Sequence, residues 1–135
     1  MSKSSVQKTD GQHHEEIVNG LYTQLKEILD ASKQPIYIYL DDNHKICNQR
    51  FASFLGYKSP QEWAKPSGFL DLYVDEKSRE KVATAYWNAT DNFNASTINV
   101  TWKKKDETTA NSTMVICPMA YKGHILAIHF ITSIA

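Results

Sequence analysis

The five histidines, His13, His14, His44, His124 and His129, are the first candidates for ligation or proton transfer. Four of them sit in polar surroundings. His13 and His14 adjoin a polar N-terminal arm, His44 belongs to a turn-rich hairpin, and His124 follows a Lys-Gly turn. His129 differs, because it lies inside the apolar run HILAIHFITSI. By strand alternation it shares a face with Ile125, Ala127 and Ile131, while Leu126, Ile128 and Phe130 line the other. An imidazole there can act as a haem ligand or as a base in an apolar cavity. It can equally be a hydrogen-bonded strand histidine, since neutral imidazole tolerates partial burial.

The remaining reactive groups point to no reaction. Cys47 and Cys117 stand alone, without the C-x-x-C or clustered His/Cys spacing of a structural zinc site, and no metal site is expected. Both fall in strand-like runs and are expected to be reduced, buried thiols. Asp41-Asp42, Asp71 with Asp75-Glu76, and Asp106-Glu107 read as turn and cap acids. No Ser/His/Asp order is present, and five scattered glycines make no phosphate loop. Lys103-Lys104-Lys105 lies beside Asp106-Glu107 and is too short a run for a nucleic-acid stripe.

Size and charge narrow the classes further. The 135 residues suffice for one domain with a single core. Fifteen basic and fifteen acidic side chains cancel, so nothing global draws the chain to nucleic acid or to an anionic membrane. Apolar content of 41%, with seven Tyr, five Phe and three Trp, marks a folded globule rather than a disordered chain. No apolar stretch approaches a bilayer span, and the first residues lack the apolar core of a secretion signal. The cytoplasm is the expected compartment.

The elements that must position these groups follow from pattern. Residues 1–13 read as a disordered polar arm, with Gly11 breaking early helix. Residues 14–33 read as an amphipathic helix, with Ile17, Leu21, Leu25 and Ile28 on one stripe and Val18, Tyr22 and Leu29 widening it. Pro35 forbids continuation. In QPIYIYLDDNHKICNQRFASFLGY, IYIYL is a strand, Asp41-Asp42-Asn43 a turn and KIC a second strand. Asn48 caps a helix that carries Phe51, Phe54 and Leu55 on one face, and Gly56 suits its left-handed stop. Ser59, Pro60 and Glu62 open a short second helix, and FLDLY is a brief apolar segment. Asp75 caps a longer helix with Val82, Tyr86 and Trp87 facing inward. Asp91 to Asn94 reads as a turn. STINVTWKKK, NSTMVICPMAYKG and HILAIHFITSI are three strands, with Pro118 expected at an edge or bulge.

That order resembles a PAS domain over residues 34–134. The resemblance is carried by the strand, the Asp-rich hairpin, the second strand, and Asn48, Phe51, Gly56 and Tyr57 in an N-x-x-F-x-x-x-x-G-Y pattern. Asp75 and Arg79 fit the family's capped, Arg-containing helix, although Val74 replaces its proline. The family's hairpin glycine is replaced near Glu107-Thr108, and its closing Asp-Ile-Thr reads Phe130-Ile131-Thr132. The resemblance implies an α+β fold: a five-stranded antiparallel sheet of order 2-1-5-4-3, short helices on one face, and the amphipathic helix ahead of a domain spanning 34–135.

It also implies a non-enzymatic sensory role, binding a small ligand or mediating dimerisation to regulate an output domain or partner of the histidine-kinase or transcription-regulator type. Phe51, Phe54, Trp63, Phe69, Tyr86, Trp102 and His129 are the candidate pocket, and the same aromatics would serve a plain packed core. Ile17, Leu21, Leu25 and Ile28 are the candidate homodimer face, with packing on the chain's own sheet as the alternative. Asn48, Gly56 and Asp75 are structural. No flavin adduct is expected, because the helices after Gly56 carry no cysteine where the photoactive members hold theirs. Haem is disfavoured, because the long helix has no histidine. The rivals are a ligand-free dimerisation module, a haem or redox sensor using His129, and, ranked lowest, a small isomerase-type enzyme.

Overall fold

The structure is a computed structural model that describes residues 10–134. They fold in the order α1 (Asp10–Ala31), β1 (Ile36–Asp41), β2 (His44–Cys47), α2 (Gln49–Phe54), α3 (Pro60–Ala64), α4 (Phe69–Tyr73), α5 (Glu76–Asn92), β3 (Ser96–Lys103), β4 (Thr109–Tyr121) and β5 (His124–Ile134). The strands pair antiparallel in one sheet of order β2-β1-β5-β4-β3, the expected topology. Among the described residues no helix is long and apolar enough to cross a membrane.

The sheet has two differently used faces. Tyr37, Cys47, Val100, Trp102, Met114, Ile116, Ala127 and Ile131 face α2–α5 in the main core. Ile38 and Leu126 face the other way and are covered by Ile17 and Leu21 of α1. Gly20 lets Tyr121 lie against that helix, since a Cβ there would meet the Tyr121 hydroxyl. Beyond α1's reach the outer face turns polar: Thr101 Oγ1 donates to Asn111 Oδ1 at 2.8 Å and Thr113 Oγ1 to Asn99 Oδ1 at 3.1 Å. The period-two pattern of β3 and β4 follows from that split. The β3 edge is closed by α5, because Ser78 Oγ accepts the Thr101 N–H at 3.0 Å and the Thr101 carbonyl accepts from Asp75 N at 2.9 Å.

Several local expectations shift. Residues 1–9 of the expected arm lie outside the described residues, but 10–13 are helical, so α1 begins ahead of His14. Gly11 costs such a helix only about 1 kcal/mol, and His13 and His14 gain ring partners on the sheet. Leu25 is half-buried and Ile28 is 62% exposed, so the apolar stripe closes on the sheet only near its middle. FLDLY is helix α4, started by Gly68 at φ 88°. Asp91 and Asn92 extend α5, and Phe93 ends it in the left-handed region. Trp87 does not face inward but is 63% exposed; Ala85 and Ala89 take the inner face with Val82, and their small side chains let α5 approach the sheet. Pro118 pairs with β5 only, beyond the end of β3 at Ser96↔Ile116, so no ladder bond needs its missing N–H there.

Asn48 is the central polar joint. Its Oδ1 accepts the N–H groups of Ile36 and Phe51, both at 3.0 Å. Its Nδ2 donates to the carbonyls of Leu29 at 3.2 Å and Gln34 at 2.9 Å. One buried amide thus satisfies the N-cap of α2, the start of β1 and the chain leaving α1. Replacing it by Ala orphans two donors and takes a donor from two carbonyls, of which that of Gln34 keeps the Ser32 hydroxyl at 3.3 Å. Asn48→Ala is expected to destabilise the fold by about 3 kcal/mol, read as a lower urea midpoint at unchanged slope. Asn48→Asp, which keeps the acceptor and turns a carboxylate toward two carbonyls, is expected to rescue little of this.

Candidate functional site

The helix side of the sheet is not completely filled. A cavity of about 220 Å³ lies between β1, β5, α4 and α5, lined by Tyr37, Tyr39, Phe69, Leu70, Val82, Ala83, Tyr86, Trp87 and His129. Register builds its floor. Tyr37 and His129 are direct cross-strand partners of β1 and β5, and their rings stack at 4.0 Å and 6°. Tyr86, from α5, lies parallel to His129 at 6.4 Å and 7°. Tyr39 meets Tyr86 edge-on at 5.2 Å and Phe69 at 5.2 Å. Trp87, exposed, forms the rim.

Burial sets the electrostatics of this cavity. His129 is pushed down to about 3, because desolvation outweighs the favourable carbonyls of Tyr37 and Ala127. Its Nδ1 sits 3.3 Å from the Tyr37 carbonyl, which can only accept, so the neutral ring donates there and keeps Nε2 as the acceptor. Burial likewise raises the Tyr86 phenol to about 12 and lifts those of Tyr37 and Tyr39 above the ordinary range. Tyr86 Oη donates to the Leu40 carbonyl at 3.1 Å, and Tyr39 Oη to Asp42 Oδ1 at 2.5 Å. Tyr37 Oη finds only the Met114 thioether, at 3.5 Å. The cavity is therefore aromatic and uncharged at neutral pH.

Of the aromatic set read from sequence, Phe69, Tyr86 and His129 come together at this cavity. Phe51, Trp63 and Trp102 do not line it. They are fully buried behind it, with Phe51 meeting Trp63 at 5.3 Å and Trp102 at 5.4 Å. Phe54 packs on the edge of that cluster. Tyr37 and Tyr39 were missed, although the alternation in IYIYL puts both on the face opposite Ile38. Ile17 and Leu21 of the expected dimer face are buried under their own sheet. Asn48, Gly56 (φ 89°) and Asp75, whose carboxylate accepts from Lys77 N at 3.2 Å, hold the structural positions expected of them. Four histidines that looked scattered, at 13, 14, 44 and 124, converge on the other face.

This arrangement of sheet and helices is the PAS fold. The PAS domain of an HTR-like protein from Haloarcula marismortui superposes with a TM-score of 0.60 at 15% identity, over 90% of this chain and 98% of that one. A PAS domain from a two-component sensor histidine kinase does so with a TM-score of 0.60 at 11% identity, over 85% and 97%. VqmA of Vibrio cholerae, a LuxR-type receptor, gives a TM-score of 0.63 in a structure bound to DPO, at 10% identity over 82% of this chain and 57% of that one. At such identities the likeness is one of fold. No family model matches the sequence, and no curated protein does.

His129 gives the cavity a pH signature. Above its ordinary value of 6.5 it is neutral folded and unfolded alike. As pH falls from 6.5 toward about 3 the unfolded chain takes up a proton that the folded chain refuses, so stability declines. The slope contributed is up to about 1.4 kcal/mol per pH unit. Urea unfolding across that window is expected to show a shallower pH dependence for His129→Asn than for the parent.

Proposed function

We propose that this chain is a sensory module that holds one small, uncharged, ring-bearing ligand in the cavity and relays its occupancy to an output domain or partner. The observation that carries this is the stack of Tyr37, His129 and Tyr86, parallel planes beside a gap that opens at Trp87. Flat aromatic surfaces favour a stacked ring. At about 220 Å³ the space falls below the range of drug-sized sites, which favours a small ring system as the ligand. The comparison proteins support the role: one PAS domain comes from a histidine kinase, and VqmA was solved with a bound small molecule.

A non-enzymatic role agrees with the titration of the lining groups. Acid–base catalysis works best with a group poised near the operating pH, whereas burial moves His129 and the tyrosines away from neutrality in opposite directions. A haem sensor using His129 has less support, because the cavity is too small for a macrocycle. Homodimerisation through α1 would have to use its Ile28 end or exchange the whole helix, since Ile17 and Leu21 are engaged within the chain. The unpaired Cys47 and Cys117 agree with work in the cytoplasm.

The test is ligand-observed and protein-observed NMR with a panel of single-ring aromatic fragments. Binders are expected to shift the Tyr86 and His129 signals, and Ala83→Phe, which fills the gap from α5, to abolish those shifts. Fragments that never move these signals, or that still move them in Ala83→Phe, would sink the reading.

A further inference from the structure

The outer face carries a second cluster that the ligand cavity does not use. His14 Nδ1 lies 2.6 Å from Asp41 Oδ2, and His44 Nδ1 lies 2.7 Å from Asp41 Oδ1. One carboxylate therefore bridges two imidazoles, one from the first turns of α1 and one from the start of β2. The donor atoms of His14, Asp41 and His44 all fall within 4.8 Å of one another. Two more rings border them. His124 is 5.2 Å from His14, ring centre to ring centre, and His13 is 4.5 Å from His124. Four of the five histidines thus meet from three chain-distant segments.

We propose that His14, Asp41 and His44 bind a divalent late-transition-metal ion, Zn²⁺ by choice of ligands, with His13 or His124 adjacent to complete the shell, and that the ion clamps the N-terminal end of α1 to the β1–β2 hairpin. Two imidazole nitrogens and a carboxylate oxygen are the borderline donors zinc prefers, and Mg²⁺ or Ca²⁺ would want oxygens throughout. The existing contacts are hydrogen bonds to the two oxygens of one carboxylate, so donors already held within 4.8 Å of one another need only draw in around an ion that replaces those protons. They are also reachable: the side chains of His14, His44 and Asp41 are 25%, 16% and 37% exposed. As a bare hydrogen-bonded bridge at the surface such a contact contributes little, whereas a metal held by two separate segments ties them directly. In the sheet the cluster lies at the α1-covered face, opposite Tyr37 and His129, so its ion and the cavity ligand occupy independent sites.

Calorimetric titration of the untagged chain with ZnCl₂ is expected to show saturable uptake of one ion per chain. Asp41→Asn, His14→Ala and His44→Ala should each weaken binding by more than about tenfold, the least that even supporting residues of metal sites cost. MgCl₂ should give no uptake. Hydrogen exchange supplies a second readout that a folding defect would not imitate. Zn²⁺ should slow exchange of the amides at 12–17 in α1, and His44→Ala, which alters only the hairpin, should remove that slowing while leaving the exchange of β4 and β5 intact. No saturable uptake, variants that bind within about tenfold of the parent, or uptake without protection of α1 would each overturn the proposal.

Discussion

A buried carboxamide with all four of its hydrogen-bonding positions occupied is the joint on which this architecture turns. Asn48 sits where three trajectories cross: the end of α1, the start of β1 and the start of α2. Its backbone N–H also reaches the Ile36 carbonyl at 3.0 Å, so both its main chain and its side chain bond the first residue of β1. In a low-dielectric interior each unmet polar group is costly, and no smaller set of bonds would fix all three directions together. With that crossing fixed, α1 must leave toward the outer face and α2 must run under the inner one. Asn48 thus helps to set the division of the sheet into an α1-covered face and a cavity-facing side.

The division is then maintained by alternation. Tyr37 and Tyr39 point toward the helices and Ile38 toward α1, so a slip of one residue would exchange cavity and helix dock. Register is held by the cross-strand pairs Tyr37↔His129 and Ile38↔Ile128, whose side chains are matched aromatic with aromatic and aliphatic with aliphatic. Tyr37 also touches Phe51, Trp63, Phe69 and Trp102, which makes it the ring through which the cavity wall joins the solid core. Packing to high density behind Tyr37 and leaving space in front of it is achieved with large rings on one side and small aliphatic side chains within the wall on the other. Phe51, Trp63 and Trp102 supply the first, and Val82 and Ala83 supply the second.

Local chemistry made much of the fold readable. Asn48, Ser59 and Asp75 are caps, and each accepts the backbone N–H that its position requires. Strand order came from the resemblance rather than from propensity, because local pattern cannot say which strands become neighbours. The misreadings share a cause. Helical spacing puts Trp87 beside Val82 and Tyr86 on the inward face, yet α5 approaches the sheet closely and Ala85 and Ala89 take that place. Of the expected aromatics, Phe51, Trp63 and Trp102 fill space, and the gap lies where Val82 and Ala83 stand among Tyr37, Tyr39, Phe69 and Tyr86. The histidine cluster left no trace in spacing, since positions 14, 44 and 124 meet only after the sheet has formed.

The β1–β2 turn shows how close the two faces stand. Asp42 Oδ1 accepts the Tyr39 hydroxyl at 2.5 Å and the Phe69 N–H at 3.3 Å, so it holds the cavity wall and the start of α4. The Asp42 carbonyl accepts from Lys45 Nζ, which also reaches the carbonyls of Ala64 at 3.0 Å and Pro66 at 2.7 Å and so holds the α3–α4 connection. Its neighbour Asp41 turns to the other face and holds His14 and His44. Burial alone would raise the Asp41 carboxyl, but the hydrogen bonds from those two rings and from the Asn43 N–H outweigh it and keep the group below its ordinary value. Two consecutive carboxylates thus anchor the cavity side and the α1 side of one sheet. The turn is therefore pinned from both sides, by Tyr39, Phe69 and Lys45 on one and by His14 and His44 on the other.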